Sequence, residues 1–98
     1  MGNFYKTNLW KKKRAVVMRR DGYECQQCRR YGKTAAAVTV HHIYPLKDYP
    51  EYKLNSHNLI SLCNDCHGQM HNRLTDELTA KGLEWVDRVK DRVEGMTL

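Results

Sequence analysis

Four cysteines and four of the five histidines are the residues that could do chemistry in this chain. The cysteines fall in two pairs, Cys25-Gln26-Gln27-Cys28 and Cys63-Asn64-Asp65-Cys66. Each C-x-x-C forms a tight knuckle that puts two sulfurs on one side of a turn. Four thiolates at ~2.3 Å from one ion complete a closed tetrahedron with no position left for water, so the pairs read as a structural zinc site. Such a site ties residue 25 to residue 66 and adds folding free energy. A redox C-x-x-C is the competing reading. It would need only one pair, and usually a βαβ context that this sequence lacks.

The histidines suggest a second centre. His41 and His42 are adjacent at the end of a β-rich run, and His67 and His71 are four apart on a predicted helix, where both project from one face. Neighbours in a strand point to opposite faces. One of His41 and His42 can therefore face a metal with His67 and His71 while the other faces a substrate. Three imidazoles at ~2.0–2.1 Å leave coordination positions open, the mark of a catalytic ion. Cys66 and His67 lie about 100° apart on a helix, so one short element can serve two metals. A lone histidine is ordinarily a core or surface residue, but four at these spacings between two knuckles form a constellation. His57 lacks such geometry and reads as a spare loop residue.

The elements that must position these groups form a small α+β domain. Residues 7–21 read as a basic helix, capped by Thr7 or Asn8, with Trp10, Val17 and Met18 at helical spacing and Arg14 between them. Asp21-Gly22 ends it. Its Lys11, Lys12, Lys13, Arg14, Arg19 and Arg20 suit either DNA phosphates or simply a solvated face. Residues 23–74 carry the knuckles and the core. A polar loop follows Cys28, a strand spans 37–43, and 46–57 reads as a long loop. A second, antiparallel strand spans 58–62, and a helix capped by Asn64 or Asp65 runs to about Leu74. Residues 75–98 hold a connector and a C-terminal helix whose stripe is Leu83, Val86, Val89 or Lys90, and Val93, with Trp85 on its flank.

Composition excludes several classes. The chain has 98 residues, a formal charge of +6, 41% apolar and 29% charged residues. That is room for one domain with a limited core, which is why a metal staple matters. No apolar run approaches a membrane span. The opening MGNFYKTNLWKKKR has no apolar segment of a secretory signal, and Lys6 stands where a myristoylated Gly2 would want Ser or Thr. A reducing, cytoplasmic setting without disulfides is expected.

Three runs together carry a resemblance: V-H-H-I-x-P (Val40 to Pro45), N-L-I-S-L-C (Asn58 to Cys63) and C-H-x-x-x-H (Cys66 to His71). With W-x-x-x-R and R-D-G-Y-x-C-x-x-C before them, residues 9 to 72 resemble the HNH endonuclease family, of the ββα-metal or His-Me finger fold. The likeness is to its small zinc-stapled members from bacteriophages and prophages, some of which work beside a DNA-packaging terminase.

The resemblance implies roles by position. His42 matches the general base that activates water, and Asn58 matches the central Asn that braces the long loop. His41, His67 and His71 match the ligands of one catalytic divalent ion (Mg²⁺, Mn²⁺, Ni²⁺, Co²⁺ or Zn²⁺). Many members have Asp where His41 stands, and three imidazoles favour Zn, Ni or Co over Mg. The implied activity is metal-dependent hydrolysis of double-stranded DNA, leaving 5′-phosphate and 3′-hydroxyl ends. A single constellation of this kind in the chain predicts a monomer that nicks, and the lack of grouped Asn, Gln and Arg for base edges predicts weak sequence preference. The implied partners are DNA and, in the packaging setting, a terminase large subunit and portal within the bacterial host cytoplasm. Rival readings are a non-catalytic zinc module that binds DNA through its basic helix, and an accessory subunit of the terminase. The cysteines and charge fit a binding module equally well, but it has no need of His42 and Asn58.

Overall fold

The computed structural model describes residues 4–94; positions 1–3, with Gly2, and 95–98 of the C-terminal segment lie outside the described residues. Helix α1 spans Asn8–Arg20. Thr7 caps it by accepting the amide of Trp10, and Asp21 closes it. Trp10, Val17 and Met18 are its buried residues, as their spacing predicts. They pack with Val40 and Leu59 on one face of a two-stranded sheet.

The sheet pairs β1 (Thr39–His42) with β2 (Leu59–Leu62) in antiparallel register, with Thr39 opposite Leu62 and His42 opposite Leu59. β1 is shorter at both ends than the expected 37–43. Ile43 leaves the strand but stays fully buried, and its amide still bonds the carbonyl of Asn58. The expected long loop 46–57 is folded by two short 3-10 turns, Pro50–Tyr52 and Ser56–Asn58. Tyr49 and Tyr52 stack on each other within it, and both meet Tyr44 edge to face.

The knuckles are helical. Cys25 caps α2 (Gln26–Arg30), which carries the first knuckle on to Arg30 where the polar loop was expected to begin, and Cys63 caps α3 (Asn64–Gly68), a role the sequence gives to Asn64 or Asp65. In each case the sulfur accepts the amide of the cysteine three positions on. The metal-binding thiol thus doubles as the helix cap.

α3 stops at Gly68, well short of Leu74. Met70 is fully buried, and its carbonyl accepts the amide of Thr79, which draws the chain off the helical path. His71 therefore sits outside the helix, bridged to Leu78, and not one turn above His67. α4 spans Ala80–Val93, capped by Thr79. Its buried face is Gly82, Trp85, Val89 and Val93. Trp85 lies in the core and not on the flank, whereas Leu83 is 53% exposed. The Trp85 indole gains a buried partner that periodicity does not reveal, donating to Gln27 Oε1 at 2.6 Å. Gly82 is required by close approach, since a Cβ there would stand 2.6 Å from the Met70 carbonyl. A Cβ at that distance would push α4 away from the turn that carries His71.

Candidate active site

Cys25, Cys28, Cys63 and Cys66 bring their sulfurs within 4.8 Å of one another. Cys28 Sγ lies 3.9 Å from Cys63 Sγ and 3.7 Å from Cys66 Sγ. A tetrahedron with ~2.3 Å metal–sulfur bonds has edges of about 3.8 Å, so the cage fits a closed four-thiolate ion. Burial would push the Cys25 thiol up, but hydrogen bonds from Cys28 and Cys63 outweigh it and lower it. The Cys66 thiol is pushed up by burial and by the other three sulfurs. The sulfurs thus compete for charge, a competition that a bound cation relieves.

The second constellation lies in a cleft of about 820 Å³ along β1, lined by His41, His42, His67 and His71. His41 is 2% exposed. Its ring sits 5.4 Å from that of His67 and 5.5 Å from that of His71, between centroids. Its Nε2 is buried with no hydrogen-bond partner among the described residues. Burial, then the neighbouring His67, His71 and His42, drive its pKa down to about 3, so the imidazole is neutral. A buried, neutral, unpartnered nitrogen on a ring beside two further imidazoles has the donor chemistry that suits a divalent ion. The three nitrogens are not drawn within 4.8 Å of one another as the cysteine sulfurs are. The expected pair on one helix face is also replaced by one helical histidine and one in an isolated β-bridge.

His42 points the other way. Its ring stacks on Trp10 at 5.0 Å and 24°, with Phe4 and Tyr5 completing an aromatic box. Trp10 is legible in the sequence only as a core residue; its stacking partner is not. The Nε2 of His42 lies 3.0 Å from the Lys53 carbonyl. A carbonyl only accepts, so Nε2 carries the proton and Nδ1 keeps its lone pair. Burial holds this imidazole below its usual pKa, partly offset by the Lys53 bond.

Asn58 is completely buried beneath the loop that supplies Lys53. Its Oδ1 accepts the Tyr44 amide at 2.7 Å, and its Nδ2 donates to the carbonyls of Tyr44 and Tyr52 at 3.3 Å. One side chain thus pins both ends of the 44–52 segment. Asn58→Ala leaves a buried amide and carbonyls without partners, at about 1–3 kcal/mol for each unsatisfied group. Chemical denaturation should show a loss of about 3 kcal/mol or more. Asn58→Asp should lose nearly as much, because a carboxylate cannot donate to the two carbonyls.

The basic residues of α1 separate by partner. Lys11, Lys12 and Arg19 are exposed. Lys13 donates to Ser56 Oγ, and Arg14 to the Val38 carbonyl. Arg20 is a staple, bonding Asp21 and the carbonyls of Ser56 and Leu59. His57 is exposed in the loop. No helix among the described residues is long and apolar enough to cross a membrane.

Residues 25–73 match the family described as HNH endonuclease. Among solved structures, the HNH endonuclease of the deep-sea thermophilic bacteriophage GVE2, crystallised with a manganese ion, is similar at 40% identity and a TM-score of 0.66. The match covers 66% of this chain and 71% of that one. No curated protein matches.

Proposed function

The chain belongs to the HNH endonuclease family, and on that premise we propose that it hydrolyses DNA phosphodiester bonds in the β1 cleft. The observation that carries this reading is the division of labour at the end of β1. His41 buries a bare, neutral nitrogen on a ring that lies beside those of His67 and His71, while His42 stacks on Trp10 with its proton fixed on Nε2. A pure binding module has no use for such an arrangement.

His41, His67 and His71 would hold the divalent ion, which would supply Lewis-acid relief of the charge that develops on the phosphate and leaving group. His42 takes the proton of the attacking water on Nδ1. The Lys53 carbonyl keeps that tautomer, Trp10 keeps the ring plane, and Asn58 keeps the loop that presents Lys53. Lys11, Lys12 and Arg19 contact phosphates, so binding is weakly sequence-specific and falls with salt. Manganese in the GVE2 enzyme supports a divalent catalytic ion here, with zinc assigned to the four cysteines. The phage setting of that relative supports a packaging role in the host cytoplasm beside a terminase large subunit and portal. Co-purification of the three tests it.

One cleft holds one base and one ion, whereas the two strands of a duplex run with opposite polarity. A monomer must release and turn over between cuts. Supercoiled plasmid under limiting enzyme and added Mn²⁺ should give open circles well before linear DNA. Linear product appearing first, together with a dimeric mass in solution, would overturn the monomer-nickase assignment.

A further inference from the structure

A second concavity, about 570 Å³, lies along β2, on the opposite edge of the sheet from the β1 cleft. Five arginines line it: Arg20 from α1, Arg29 and Arg30 from α2, and Arg88 and Arg92 from α4. Its acidic lining residue, Asp21, is already paired with Arg20 and with the Ser61 amide. Arg30 is held by Glu84. Arg29, Arg88 and Arg92 remain exposed, with the Arg88 guanidinium laid over the Trp85 ring at 5.2 Å. The groove is joined to the basic helix. Lys13 donates to Ser56 Oγ at 3.0 Å and Arg20 to the Ser56 carbonyl at 2.9 Å, and Ser56 forms part of the groove wall.

Guanidinium groups converging from three helices are a poor arrangement for a folded interior and a good one for bidentate contact with phosphates. We propose that this arginine groove binds the phosphate backbone of DNA beyond the scissile step, as a second anchoring site distinct from the catalytic cleft. The proposal rests on the nuclease reading above. Continuity with α1 favours a nucleic-acid backbone over an acidic polypeptide. Arg29, Arg88 and Arg92 are the anchoring residues, because Arg20 and Arg30 are spent on internal partners.

The test is binding of a 30-bp duplex across a salt series, in a His42→Ala background so that DNA is held and not cut. Each phosphate neutralised by an arginine releases counterions and contributes about 0.9 to the slope of log affinity against log salt. Arg29→Ala, Arg88→Ala and Arg92→Ala combined should lower that slope by about 2 to 3 and weaken binding by about tenfold or more at moderate salt. The corresponding three lysine substitutions should restore most of the slope, which a merely structural loss would not allow. Zinc content and thermal melting establish that the alanine protein is folded. Should it fail to fold, Arg29→Ala alone, at an exposed position near the end of the short α2, should still remove about 1 from the slope. An unchanged slope in a folded variant overturns the proposal and leaves an acidic polypeptide as the chemistry that fits the groove. Failure of the background protein itself to bind duplex overturns the nuclease reading and the anchor together.

Discussion

His42→Ala lowers the rate of DNA cleavage by about 10²- to 10⁴-fold, the range general-base catalysis commands, without loss of metal or DNA binding. The separation of effects follows from geometry. The His42 ring lies among Phe4, Tyr5 and Trp10 and bonds the Lys53 carbonyl, whereas the bare nitrogen beside His67 and His71 belongs to His41. Removing the base therefore leaves the ion's donors in place. His67→Ala and His71→Ala should show the converse, with weakened metal uptake at the cleft and activity recovered in part by excess metal. Calorimetric titration of Mn²⁺ into each variant, beside plasmid-nicking rates, separates the two classes. Wild-type cleavage by His42→Ala would sink the assignment of the base.

Cys63→Ser unfolds the protein. Apparent binding free energies of structural zinc run to roughly 10–16 kcal/mol, as large as the roughly 5–15 kcal/mol that separates most folded domains from their unfolded chains. Cys63 holds one corner of the cage and also caps α3, the helix that carries His67. The sulfurs pack against the core that contains Leu62, Met70 and Trp85. Loss of the ion thus removes a staple and leaves unligated thiols against the larger of two small cores. Elemental analysis should give at least one zinc per wild-type chain, and the variant should lack that zinc and lose its cooperative melt. A folded, zinc-free chain would remove the claim. Exhaustive chelation of the wild type should reproduce the unfolding, with recovery on adding Zn²⁺.

The sequence by itself determined what short-range covalent spacing controls. C-x-x-C leaves a chain little choice but a knuckle, so both halves of the cage are legible, although not that each first sulfur would cap a helix. Apolar spacing in α1 fixes Trp10, Val17 and Met18 on one face, and β-period alternation sends His41 and His42 to opposite sides of β1. Tertiary structure decided everything that depends on a partner distant in the chain. Helix periodicity from Cys66 to Leu74 is locally plausible, but burying Met70 and bonding it to Thr79 ends α3 at Gly68, since a core site outweighs propensity. For the same reason Trp85 turns inward, where Gln27 offers its indole an acceptor and the sheet offers it apolar cover, and Leu83 is left outside. The Lys53 carbonyl that fixes the tautomer of His42, the Asn58 amide that pins the loop, and the arginines gathered from three helices are juxtapositions across 11 to 72 positions of chain. Only the folded packing of α1, α2 and α4 around two short strands brings them together, because no local rule links residues so far apart.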